Sequence, residues 1–226
     1  MGTGPVLPEG AGIDDDGVWV QIVRSPGALP PRPALFLDRD GVVVEDVGHL
    51  SRAEDVRPIP GAADVIAAAN RRGILVVVVT NQSGIGRGLF GCREFIDVQR
   101  RILDGLAAEG ARIDAVLACP HHPEARPPYD HPDHPARKPN PGMLLRAADL
   151  VPLDLARSWI VGDRARDIAA GRKAGIEGAL YVTGGNRRHP DEQAAALSLA
   201  AQDRFRVLAG PTIRAALTLV PLLAGD

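Results

Sequence analysis

Two cysteines in 226 residues, Cys92 and Cys119, are too few for a disulfide framework and suit a reducing compartment. An excess of either charge is also missing: 26 basic and 28 acidic residues leave a formal net charge of -2. Without a broad basic field, nucleic acid is not expected as a partner, and a small anionic substrate would be met by a few local cations. Long apolar runs are absent as well. The longest, residues 74–79, stops at polar Thr80 and Asn81, well short of the roughly 20 residues of a membrane helix. The N-terminus shows no basic region followed by an apolar segment, so no signal peptide is expected. These absences lead to the expectation of a cytoplasmic protein without membrane contact, a monomer or weak oligomer.

The length suits one well-buried α/β domain. Residues 1–33 are expected to be an N-terminal extension and linker, partly mobile: a Gly- and Pro-rich leader with Asp14, Asp15 and Asp16, a short strand or surface extension over 18–23 around Trp19, and a stiff proline-rich linker over 26–33. Residues 34–226 are expected to form the domain proper. Strands are predicted over 34–37, 74–80 (a β-branched run), 113–118, 158–161, 179–182 and 204–208, and helices over 62–72, 93–109, 142–150, 165–174 and 213–223. This βα alternation implies a Rossmann-like parallel sheet with helices on both faces. One segment resists the pattern. Residues 120–141 hold eight prolines and a group of histidines, too long and polar for an ordinary connection, which favours a functional loop.

The chemistry concentrates where strands end. Ala34-Leu35-Phe36-Leu37 runs into Asp38-Arg39-Asp40-Gly41, two carboxylates two residues apart before a glycine that lets the chain turn. Capping the next segment needs only one acid. Burying a pair without compensation is costly, and a hard cation such as Mg²⁺, shared with phosphate oxygens, removes that cost. Arg39 is expected to point away from both aspartates if the strand pleat persists. Thr80-Asn81-Gln82-Ser83-Gly84 follows the next strand, Arg137-Lys138-Pro139 follows the long loop, and Gly162-Asp163-Arg164-Ala165-Arg166-Asp167 follows a later strand. All fall on one edge of the inferred sheet.

This ordered set, over residues 34–182, resembles the haloacid dehalogenase superfamily of phosphatases, and the strings Thr80-Asn81-Gln82-Ser83-Gly84-Ile85-Gly86, Cys119-Pro120-His121-His122-Pro123 and Arg137-Lys138-Pro139-Asn140-Pro141-Gly142 resemble the D-glycero-D-manno-heptose-1,7-bisphosphate 7-phosphatases, with histidinol-phosphate phosphatases as relatives. The resemblance implies an α/β domain without a large cap, acting on a small phosphorylated sugar. It implies Asp38 as nucleophile, Asp40 as general acid and base, and Mg²⁺ held by Asp38, Asp163 and the carbonyl of Asp40. Thr80 and the following amides, with Lys138, would stabilise the phosphoryl group. Asp167 would orient Lys138 or serve the helix dipole. Asp46, Val47, Gly48, His49, Asn81, Gln82, Ser83, Arg137 and Arg164 would contact the substrate, Arg137 by gripping a second phosphate. It also implies a structural Zn²⁺ in the loop. Cys119 and His121 match its ligands, His134 stands where the family's first later cysteine would be and Ala136 where the second would be, so His131 or His122 would have to complete the site, or the loop is metal-free. A histidinol-phosphate phosphatase and a phosphate-binding module without turnover remain as alternatives.

Overall fold

The computed structural model describes residues 7–24, 30–184, 191–201 and 205–224. The strands are β1 (Ala11–Ile13), β2 (Trp19–Ile22), β3 (Arg32–Leu37), β4 (Leu75–Asn81), β5 (Ala115–Cys119), β6 (Leu153–Gly162), β7 (Gly178–Val182) and β8 (Arg206–Gly210). The helices are α1 (Ala62–Arg71), α2 (Ser83–Gly86), α3 (Cys92–Ala108), α4 (Gly142–Leu150), α5 (Ala165–Lys173), α6 (Asp191–Ser198) and α7 (Ala216–Leu219).

The strands form one eight-stranded sheet in the order β1-β2-β5-β4-β3-β6-β7-β8. From β5 to β8 every pairing is parallel; β1 and β2 add an antiparallel edge. Alternating side chains of the buried strands serve two apolar layers, as the two-residue pleat requires. Leu35, Leu37, Val76 and Val78 pack with Val65 and Ile66 of α1 and with Phe95, Val98 and Ile102 of α3. Ala34, Phe36, Val77 and Val79 pack with Met143, Leu144 and Ala147 of α4 and Ile168 of α5. The expected fold class is therefore present, with helices on both faces. The chain leaves β3 to one side for β4 and to the other for β6, so the loops after β3, β4 and β6 meet at a crevice beyond the strand ends.

Several expectations for the ends are corrected. From residue 7 onward the supposed leader is part of the fold, with β1 at the sheet edge, while the strand expected over 18–23 is present as β2, where Trp19 is 4 % exposed and meets Phe95 edge-on at 5.3 Å. Arg32 and Pro33 belong to β3 rather than to a linker; residues 25–29 lie outside the described residues. Pro33 is tolerated because the β3–β6 register slips between Pro33 and Leu35, and the Ala34 amide donates instead to Ser158 Oγ at 2.9 Å. The helix expected over 213–223 is a 3-10 turn (Ile213–Ala215) followed by the single turn of α7. Helix α6 was not expected from the sequence, and Arg204 lies outside the described residues.

Candidate active site

The end of β3 delivers Asp38 to the centre of the crevice. Its Oδ1 accepts from the Arg39 amide at 2.7 Å and faces Lys138 Nζ at 3.0 Å. Lys138, fully buried, also meets Asp167 Oδ1 at 2.8 Å and donates to the Val79 carbonyl at 2.7 Å. Burial pulls the ammonium down, but Asp167 and Asp38 outweigh it and the net shift is upward, so Lys138 stays charged. Asn81, at the end of β4, fixes this lysine from behind: its amide donates to the Lys138 carbonyl at 3.0 Å and its carbonyl accepts from the Lys138 amide at 3.1 Å.

Asp163 completes the acidic group. Ligand oxygens of Asp38, Asp163 and Asp167 all lie within 4.8 Å of one another. Asp163 is 1 % exposed, and its Oδ2 is buried without a hydrogen-bond partner. Burial, and then the Asp38 and Asp167 carboxylates, push its pKa up to about 8. Three carboxylates crowded together in this way are the donor set a hard divalent cation takes. The residues therefore fit Mg²⁺, with Asp167 beside the expected Asp38 and Asp163. Two glycines permit the crowding. Gly41, at φ 84°, adopts a conformation side chains avoid, and a Cβ there would collide with the Asp163 carboxylate; a Cβ on Gly162 would collide with Asp167.

Arg39 does not point away from the aspartates. Its side chain, 1 % exposed, forms an ion pair with Asp40 at 3.0 Å and lies 5.8 Å from the centre of the Phe95 ring. The pleat ends at Leu37, so alternation no longer sets its direction. Gln82 Nε2 donates to Asp40 Oδ2 at 2.8 Å and to Thr80 Oγ1 at 2.9 Å. Burial raises the Asp40 pKa; Arg39 opposes it, Asp38 adds to it, and the net direction is upward.

A cleft of about 250 Å³ opens over this group. Asp38, Asp40, Asp163 and Thr80 line it, as do Asp46, Gly48, His49, Asn81, Gln82, Ser83 and Arg164 from the expected substrate contacts. Val47 is 52 % exposed and not part of the lining. Arg137 is not among the lining residues; its Nη1 donates to the His121 carbonyl at 2.8 Å, and its charge lies close enough to cleft-lining Arg166 to be disfavoured by it. The Gln82 amide, expected for phosphate, already donates to the Cys119 carbonyl at 2.7 Å. Arg166, missed in the sequence, lines the cleft, and its guanidinium is favoured by Asp167, Asp38 and Asp163. Its place three residues after Asp163, in the first turn of α5, was a usable signal.

The zinc expectation does not fit. Among the described residues the acidic trio is the one group of three metal-binding side chains whose ligand atoms gather. His121 and His134 lie flat on each other, centroids 3.7 Å apart and planes 6° apart, rather than converging edge-on upon a common centre. His121 Nε2 donates to the Asp16 carbonyl at 2.8 Å, His134 Nδ1 accepts from the Ala136 amide at 3.1 Å, and burial pushes the Cys119 thiol up to about 11. Only His121 Nδ1 stands buried without a partner in this set.

Comparison with known proteins shows the family. The HAD-hydrolase-like family matches residues 135–203. D-glycero-beta-D-manno-heptose-1,7-bisphosphate 7-phosphatase of Mesorhizobium japonicum is 46 % identical over 172 residues, 76 % of this chain and 79 % of that one. The enzyme of the same name from Vibrio cholerae is 39 % identical, covering 77 % of this chain and 93 % of its own. Among solved structures, D,D-heptose 1,7-bisphosphate phosphatase from B. bronchiseptica, complexed with magnesium and phosphate, aligns with a TM-score of 0.66 at 30 % identity, covering 81 % of this chain and 95 % of that one. The chain thus belongs to the haloacid dehalogenase-like phosphoric monoester hydrolases, in the family of the heptose-1,7-bisphosphate 7-phosphatases.

Proposed function

We propose that this chain hydrolyses the 7-phosphate of D-glycero-D-manno-heptose 1,7-bisphosphate, with Mg²⁺, through a phosphoryl-enzyme intermediate on Asp38. The observation that carries the reading is the Asp38 carboxylate held on one oxygen by Lys138 and the Arg39 amide, beside an Asp163 Oδ2 that accepts no hydrogen bond, in the cleft. Its other oxygen attacks phosphorus, and the bond to the sugar oxygen breaks. Asp40 gives that oxygen a proton and then takes one from the water that cleaves the aspartyl-phosphate. The raised pKa of Asp40 suits a group that must hold a proton near neutrality. Lys138 and the Thr80 hydroxyl neutralise the equatorial oxygens. When bound by Asp38, Asp163 and the Asp40 carbonyl, Mg²⁺ supplies further charge neutralisation for the phosphoryl group.

The second phosphate needs a cation that faces the cleft, and Arg137 is not part of its lining. Arg164 is drawn toward Asp46 at 3.5 Å, and Arg166 lines the same cleft, so Arg166 takes the distal phosphate. Phosphate release from the bisphosphate and from a heptose 7-phosphate tests this. Arg166→Ala is expected to raise KM for the bisphosphate by about 1.5 to 3 kcal/mol in transition-state terms and to leave the monophosphate nearly unchanged. Equal losses on both would place Arg166 on the reacting phosphate instead.

A further inference from the structure

The misfit of the zinc set leaves the question of what holds residues 120–141 in shape, and the answer on the molecule is the N-terminal hairpin. The turn between β1 and β2 is tightly built: Asp14 Oδ1 accepts from the amides of Asp16 at 3.0 Å and Val18 at 2.9 Å, and Gly17 closes the turn at φ 75°. That turn is seated on the loop. His121 donates to the Asp16 carbonyl, and a Cβ on Gly17 would stand 3.0 Å from Tyr129 and 3.5 Å from His121 Nε2. Asp14 Oδ2 pairs with Arg146 of α4 at 3.0 Å, on the far side of the loop.

From the turn an unbroken set of contacts leads to the catalytic lysine. His121 meets Tyr129 edge-on at 5.4 Å and stacks on His134, which is met edge-on by His131 at 5.4 Å. The His121 carbonyl accepts from Arg137, the His134 carbonyl accepts from the Arg137 amide at 2.9 Å, and Lys138 follows. His121 and His134 are 5 % and 7 % exposed, so this is an interior and not a surface cluster.

We infer that the β1–β2 hairpin is a protein-built clasp for the 120–141 loop, doing without metal what a bound ion does in a ligand-complete loop, and that Asp14, Gly17 and His121 are positioning residues for Lys138. The clasp rests on the loop geometry alone; only its kinetic consequence rests on the proposed phosphatase reaction.

Amide exchange of residues 120–141 in the full chain, with kinetics and zinc content measured alongside, tests the clasp. The chelator-treated wild type is expected to keep its loop protection, and added zinc to change neither protection nor kcat. Gly17→Val and Asp14→Ala should speed loop exchange by roughly tenfold or more, as a locally opened segment does, while β3 and β4 stay protected. They should lower kcat more than they change KM, because Lys138 is displaced. Asp14→Asn, which keeps the Oδ1 acceptor of the turn, should recover much of the protection lost in Asp14→Ala. Stoichiometric zinc whose removal loosens the loop would overturn the inference. So would unchanged loop exchange in both Gly17→Val and Asp14→Ala. Because exchange is read without substrate, failure of the clasp is distinguishable from failure of the phosphatase reading.

Discussion

Asp40 sits between opposing influences. Burial and the neighbouring Asp38 favour its neutral form, and the Arg39 guanidinium and Gln82 amide favour the carboxylate. A group so balanced can release and regain a proton in one cycle, the role proposed for it, whereas Asp38, paired with Lys138, is the proposed nucleophile. Asp40→Asn cannot deliver a proton and keeps the shape. Turnover of the sugar phosphate is expected to fall by about 10² to 10⁴, the span of general acid catalysis, and that of an activated aryl phosphate much less. Steady-state rates on both substrates check it; an equal fall would remove Asp40 from the acid role.

At the scale of elements, the sheet is built so that β3 ends in the right place. The slip at Pro33 removes one regular β3–β6 contact, and Ser158 repairs it by accepting from Ala34 and donating to the Asp154 carbonyl at 2.5 Å. Ser158→Ala leaves buried polar groups unpaired, so denaturant unfolding should show a loss of about 1 to 3 kcal/mol. With Asp38 anchored by its own amide to the Val161 carbonyl at 3.0 Å, kcat should hold; wild-type stability in the variant would show that the bulge needs no repair. Much of this architecture was legible in the sequence. Continuous apolar runs at 34–37, 74–79 and 115–118 mark buried parallel strands, and the polar groups placed just after strands, Asp38 and Asp40 foremost, mark the crevice. Other features depend on contacts distant in sequence. Trp19 joins the core only because Phe95 of α3 waits for it, Arg39 turns toward Asp40 because the pleat has ended, and Arg137 is captured by the His121 carbonyl. No local pattern encodes those partners, whereas Arg166, which lines the cleft, follows closely on Asp163 in sequence.

For the molecule as a whole, the acidic group couples stability to pH and to metal. Asp163 has its pKa raised from 3.8 to about 8, so between these values the folded protein binds more protons than the unfolded chain. The sign is then fixed: this contribution makes the metal-free protein lose stability as pH rises through that window, and the loss is complete above about 8. Mg²⁺ binds the deprotonated form and removes the repulsion. The increase in Tm caused by Mg²⁺ is therefore expected to be larger at pH 8 than at pH 6, and to shrink in Asp163→Asn. Thermal melts with and without Mg²⁺ check this; an equal increase at both pH values would place the ion elsewhere.

Residue, element and molecule meet in the proposed reaction, removal of the 7-phosphate of a heptose bisphosphate by Asp38. Phosphorus NMR of D-glycero-D-manno-heptose 1,7-bisphosphate incubated with Mg²⁺ and the wild-type chain, and in parallel with folded Asp38→Asn, tests it most directly. The wild type is expected to convert the 7-phosphate signal to inorganic phosphate and leave the 1-phosphate intact, and Asp38→Asn to leave both signals unchanged. Loss of the 1-phosphate, or release of the 7-phosphate by Asp38→Asn at the wild-type rate, would contradict it.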